Sequence, residues 1–118
     1  MENKHESFKV ISEKDDRVQR IQCPERIDLN TSPHLRDILI KLTDRGKYKI
    51  IIDLSSTTYI DSSGLGAIVS RIAVSRSNQG DILLTAVNKN IMNLLEITHL
   101  NKILKIYETI DEAVASYE

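Results

Sequence analysis

The spacing of apolar residues along this chain changes several times, and each change marks an element. Phe8 to Ile11 and Val18 to Cys23 read as half-buried extended segments separated by the polar turn EKDD, which predicts an antiparallel hairpin. From Ser32 the period becomes helical: Leu35, Ile38, Leu39 and Leu42 form one stripe, with Ser32 placed to cap it, Pro33 suited to its first position and Gly46 ending it. YKIIIDL, residues 48 to 54, is a continuous β-rich run, the pattern of a central, covered strand.

After that strand, Leu65, Ile68, Val69 and Ile72 fall on one helical face, Gly80 marks a turn, and ILLTAV at 82 to 87 forms another strand. Asn88 is an N-cap for a helix striped by Ile91, Leu94, Leu95 and Thr98. Ile103 to Tyr107 predicts a last strand, and Thr109 with Glu112 has the spacing of a capping box before a final helix carrying Ile110, Ala113, Val114 and Tyr117. Strand and helix alternate at intervals too long for hairpins, so the strands should be parallel and joined by right-handed helical crossovers. The expected fold class is α/β, with a small mixed sheet, the N-terminal hairpin as its antiparallel edge, parallel core strands and about four helices covering mainly one face or both ends.

A length of 118 residues with 41 % hydrophobic content fits one domain spanning 1–118, with polar residues 1–7 as a poorly ordered extension. Sixteen basic against seventeen acidic residues leave a net charge of −1 without long runs of either sign, which provides no electrostatic footprint for nucleic acid or an anionic membrane. A protein partner fits better. With a polar N-terminus and no apolar run near the roughly 20 residues of a membrane span, the expectation is a soluble cytoplasmic protein. Cys23 has no disulfide partner and reads as a small buried hydrophobe.

The chemistry concentrates in TYIDSSGLGAIV, residues 58 to 69, where a strand gives way to a helix. Asp61, Ser62 and Ser63 stand where backbone amides lack intrahelical partners, so any of the three can act as a cap, and Gly64 and Gly66 allow the first turn to pack close to its strand. A P-loop would need a leading glycine and a lysine that SSGLGAI lacks, and a nucleophile elbow would need small residues where Tyr59 and Ile60 stand. His5, His34 and His99 have no ligand-spaced companions, so no metal and no cofactor is expected. What remains is a hydroxyl presented at a helix start, which can serve as the substrate of a kinase, because the helix end tolerates added negative charge.

IIIDLSSTTYIDSSGLGAIV resembles the signature of STAS domains, in particular the bacterial anti-sigma factor antagonists. ERIDLNTSPHLRD and LTAVNKNIMNLLEITHLNKILKIYETIDEAVAS are similar to two further segments of that family, so the resemblance runs from about Val18 to the C-terminus. It implies a STAS-like fold and a regulatory protein rather than an enzyme. It also implies Ser62 as the phosphoacceptor, Asp28 and Asp61 near the partner-contacting surface, and Gly64 and Gly66 as the glycines of the turn. The helical wheel, projected from Leu65, leans the other way, placing Ser62 at the margin of the buried stripe and Ser63 on the outer face.

The implied cycle is partner switching. The unphosphorylated protein would bind an anti-sigma factor that is itself a serine kinase of the GHKL/HATPase type; phosphorylation of Ser62 would break the complex, and a PP2C-type phosphatase would reset it. The partner surface is read as Asp28, Asp61, Ser62, Ser63, Gly64, Gly66, Ala67 and Ser70, the last three residues forming a shallow area beside Ser62. One departure is CPERID, where Glu25 replaces the usual glycine and Pro24 forces a strand end, edge or bulge. Two competing readings are a non-phosphorylated STAS subunit of a lipid or anion transport system or sensory scaffold, and a nucleotide hydrolase, which the missing lysine and acid/base pair disfavour.

Overall fold

A computed structural model describes residues 8–118. The extension assigned to residues 1–7 lies outside the described residues. Five strands form the main sheet in the order β1 (Lys9–Glu13), β2 (Val18–Gln22), β4 (Lys49–Asp53), β6 (Asp81–Thr85) and β7 (Lys105–Tyr107). β1 pairs antiparallel with β2 and forms one edge, and every other pairing is parallel. The predicted hairpin, edge position and parallel core are therefore all present. Two short strands stand apart: β3 (Arg26–Ile27) pairs in parallel with β5 (Tyr59–Ile60).

Helices α1 (Ser32–Asp44), α2 (Ser62–Val69), α3 (Ile72–Ser77) and α4 (Lys89–Ile97) each bury an apolar face in the larger core, and α5 (Ile110–Ser116) covers a smaller one. Side chains on a strand alternate between faces, so Ile50 and Ile52 enter the larger core while Ile51 packs with Val18, Leu83, Ala113 and Val114 under α5. This two-sided burial is why KIIID reads as an unbroken apolar run; each isoleucine is worth about 1.5–3 kcal/mol relative to exposure. No helix among the described residues is long and apolar enough to cross a membrane.

Several boundaries differ from the sequence expectation for local reasons. The cap of α1 is Thr31 rather than Ser32, which is buried within the helix, and Thr31 makes no side-chain cap bond. The segment after the joint is two helices rather than one, because the Ser70 hydroxyl donates to Ala67 O at 2.7 Å and diverts that carbonyl at the end of α2. β6 stops at Thr85 because Ala86 is left-handed at φ 57°, and a 3-10 turn over Leu100–Lys102 delays β7 to Lys105. Gly80 is required for closeness rather than for turning: a Cβ there would stand 2.0 Å from Tyr48 O. As predicted, Asn88 caps α4 by accepting from the Ile91 amide at 2.8 Å, and Thr109 accepts from the Glu112 amide at 3.1 Å. β2 ends before Pro24, as its missing N–H requires.

Candidate functional site

The small β3–β5 sheet determines where the joint lies. Ile27 and Ile60 point into the core while Arg26 and Tyr59 stay exposed, and the Arg26 guanidinium stacks on the Tyr59 ring 4.1 Å from its centroid. The Thr57 hydroxyl donates to Pro24 O at 2.8 Å and the Thr58 amide to Glu25 O at 2.8 Å, tying the loops after β2 and β4 together. Asn88 extends the tie by donating to Thr57 O at 3.2 Å.

Asp61 continues from β5 in extended conformation and caps α2, its Oδ1 accepting from the Gly64 amide at 3.0 Å. Its Oδ2 accepts from the Leu29 amide at 3.2 Å. Because Asp61 supplies the cap, neither serine hydroxyl is spent on it. Ser62 is exposed and Ser63 half-buried, so the helical-wheel preference for Ser63 as the outer residue is reversed. The wheel fails because the turn entering a helix is oriented by its cap and its strand rather than by the stripe further along.

Gly64 and Gly66 serve different ends. A Cβ on Gly64 would lie 2.3 Å from Ile27 O, so only glycine lets α2 start against β3. Gly66 faces the Arg36 guanidinium of α1 instead. Of the residues read as partner-contacting, Ala67 is fully buried in the core and Gly64 is buried at the strand contact. Ser70 is exposed but engaged with Ala67 O.

Asp28 closes the loop ahead of α1. Its Oδ1 accepts from the amides of Asn30 at 3.0 Å and Thr31 at 3.2 Å, and its Oδ2 from Arg26 Nε at 3.3 Å. Desolvation pushes the Asp28 carboxyl up, but the Asn30 amide, Arg26 and Thr31 outweigh it and hold the group below the usual carboxylate range. Two side chains that the sequence did not single out are exposed near the joint: Leu29, 73 % exposed, whose amide is held by Asp61, and Tyr59, 42 % exposed, on the strand that leads into Asp61. Their signal was present: Leu29 is the one apolar residue in the polar DLNTS loop, and Tyr59 alternates with inward Ile60.

Elsewhere the chemistry is quiet. Cys23 is buried and burial pushes its thiol pKa up, which disfavours the reactive thiolate. Among the described residues no three or more His, Cys, Asp or Glu gather as a set that could hold a metal ion.

This mixed sheet, with its serine-bearing turn between a short strand and helix, defines the class. The STAS domain family model matches residues 9–113, and the chain belongs to that family. A relative from Staphylococcus epidermidis named anti-sigma-B factor antagonist is 25 % identical over 93 residues, 79 % of this chain and 86 % of its own length. A Thermotoga maritima protein assigned as an anti-sigma factor antagonist superposes with a TM-score of 0.84 at 28 % identity, covering 97 % of each chain. The Bacillus cell-fate determinant SpoIIAA in its phosphorylated form shares the fold at a TM-score of 0.73 and 17 % identity, over 94 % of this chain and 99 % of that one.

Proposed function

We propose that this chain is an anti-sigma factor antagonist whose unphosphorylated form binds an anti-sigma factor serine kinase and frees the sigma factor, and that phosphorylation of Ser62 breaks the complex. The observation that carries this reading is the exposed Ser62 hydroxyl, left out of the helix cap by Asp61, whose other carboxylate oxygen holds the loop of exposed Leu29. Relatives bearing the antagonist name support it.

Each part of the site has a physical role in such a switch. Leu29 and Tyr59 supply apolar area that a partner covers, with Tyr59 held by Arg26 and Leu29 by Asp61. The phosphate adds a charge of about −1.5 to −2 at the start of α2, where first-turn amides and the helix dipole accept it in the free protein. Inside a packed interface the same group is desolvated. A penalty of ~4 kcal/mol would weaken binding about a thousandfold.

The test is incubation with candidate serine kinases of the ATP-binding anti-sigma class and ATP, read by intact mass, and by size exclusion for complex formation. A single phosphate on Ser62 with loss of the complex is expected, and Ser62→Ala should remain bound throughout. Ser62→Ala that stays folded and still loses its kinase complex when ATP is added, as the wild type does, would overturn Ser62 as the switch. A PP2C-type phosphatase is expected to restore binding of the wild type.

A further inference from the structure

Arg36 is exposed on α1, and its guanidinium reaches across to α2. A Cβ built on Gly66 would stand 2.8 Å from Arg36 Nη2, so the cation lies over the glycine because no side chain is there to hold it off. Gly66 is four residues beyond Ser62, one helical turn along the same face, where side chains of successive turns stand roughly 5–6 Å apart. That separation is within reach of a phosphate ester on Ser62.

The neighbouring charges are otherwise engaged. Asp37 on α1 pairs with Lys41 at 3.1 Å, Asp28 with Arg26 and the loop amides, and Asp61 with the amides of Gly64 and Leu29. Arg36 forms no ion pair among the described residues. A guanidinium one helical turn from an exposed hydroxyl, with no acid of its own among the described residues, is a half-built phosphate site.

We propose that Arg36 is the intramolecular counter-ion of a phosphate on Ser62, gripping it across the α1–α2 seam. This rests on the reading of Ser62 as the acceptor. Phosphorylation then alters the docking face at two points: it adds a dianion at Ser62 and withdraws the Arg36 cation that the bare protein offers to a partner. The phosphate is drawn down onto the seam instead of projecting into solvent.

The experiment installs phosphoserine at position 62 during translation, so it needs no kinase and is independent of whether Ser62 is the natural acceptor, which peptide mapping after kinase treatment reports separately. Phosphorus NMR then follows the second ionisation of the phosphate, ordinarily near pH 6. The midpoint in otherwise wild-type protein is expected roughly 0.3–0.7 pH unit below that in Arg36→Gln at low salt, the size of an exposed ion pair, and the gap should narrow as salt rises. Gly66→Ala, whose Cβ occupies the guanidinium's place, should raise the midpoint in the same direction. The amides of α2, the carboxylates of Asp28, Asp61 and Asp37, and the Arg26, Lys41 and His34 side chains are common to all three proteins, so the differences report Arg36. Equal midpoints for the wild type and Arg36→Gln would overturn the proposal.

Discussion

The carboxylate of Asp61 joins the Leu29 amide, 32 residues earlier in the chain, to the first turn of α2, with one oxygen serving each. The helix that carries Ser62 and the loop that carries the most exposed apolar side chain of the site are thus positioned by a single group. Asp61→Ala should cost about 1–2 kcal/mol by urea denaturation, the usual range for a lost cap, and should speed hydrogen exchange at the Leu29 amide. An unchanged Leu29 exchange rate would mean that the bridge is not made in solution.

The two glycines of the turn separate sharply by environment. A Cβ at Gly64 meets a backbone oxygen at 2.3 Å and Ile60 Cγ2 at 2.8 Å, so Gly64→Ala should lose about 3 kcal/mol or more. Gly66→Ala meets only the far end of the Arg36 side chain and removes a helix-interior glycine, so its stability should stay level or rise by up to ~1 kcal/mol. Comparable losses in the two variants would contradict the arrangement.

Thr85 is fully buried at the end of β6, and its Oγ1 has no hydrogen-bond partner among the described residues. An unsatisfied buried hydroxyl is a liability that an isosteric apolar group removes. Thr85→Val should therefore be neutral or stabilising by about 1 kcal/mol in thermal or urea unfolding; a clear loss would mean that the hydroxyl is bonded after all.

The hairpin turn runs through three successive left-handed residues, Lys14, Asp15 and Asp16 at φ 51°, 55° and 67°. L residues adopt this conformation sparingly, and Asp16 pins it by accepting from Lys47 at 2.6 Å, Ser12 at 2.7 Å and Gln19 at 3.0 Å. Lys47 first, then Ser12 and Gln19, hold the Asp16 carboxyl well below the usual carboxylate range. Its contribution to stability is then complete above the unfolded value near pH 4 and lost as pH falls from there through the depressed folded value. The gap in urea midpoint between wild type and Asp16→Asn should be present at pH 7 and shrink in acid; a gap that widened on acidification would reverse the sign of this effect.

If Ser62 is the acceptor, Ser63→Ala should still take up one phosphate from a cognate kinase, whereas Ser62→Ala should take up none. Peptide mapping that finds the label on Ser63 of the wild type would reassign the site.

Much of this architecture is legible in the sequence alone. The alternation of elements, the antiparallel edge, the Asn88 and Thr109 caps and the strand end at Pro24 all follow from interactions spanning only a few residues. The turn motif itself pointed to the candidate site. Less legible were the parts fixed by distant neighbours: the loss of Ala67 to the core, the exposure of Ser62 over Ser63, and the exposure of Leu29 and Tyr59 near the joint.

What the chain by itself determined is each element's type and its approximate place, because hydrophobic period, capping and the backbone limits of proline and glycine act locally. Tertiary structure alone decided that Asp61 rather than a serine caps α2, that Gly66 makes room for an arginine 30 positions earlier, and which hydroxyl meets solvent. Those outcomes depend on where β3 and α1 come to lie against α2, and contacts between segments so far apart in sequence are settled only when the sheet and its covering helices pack together.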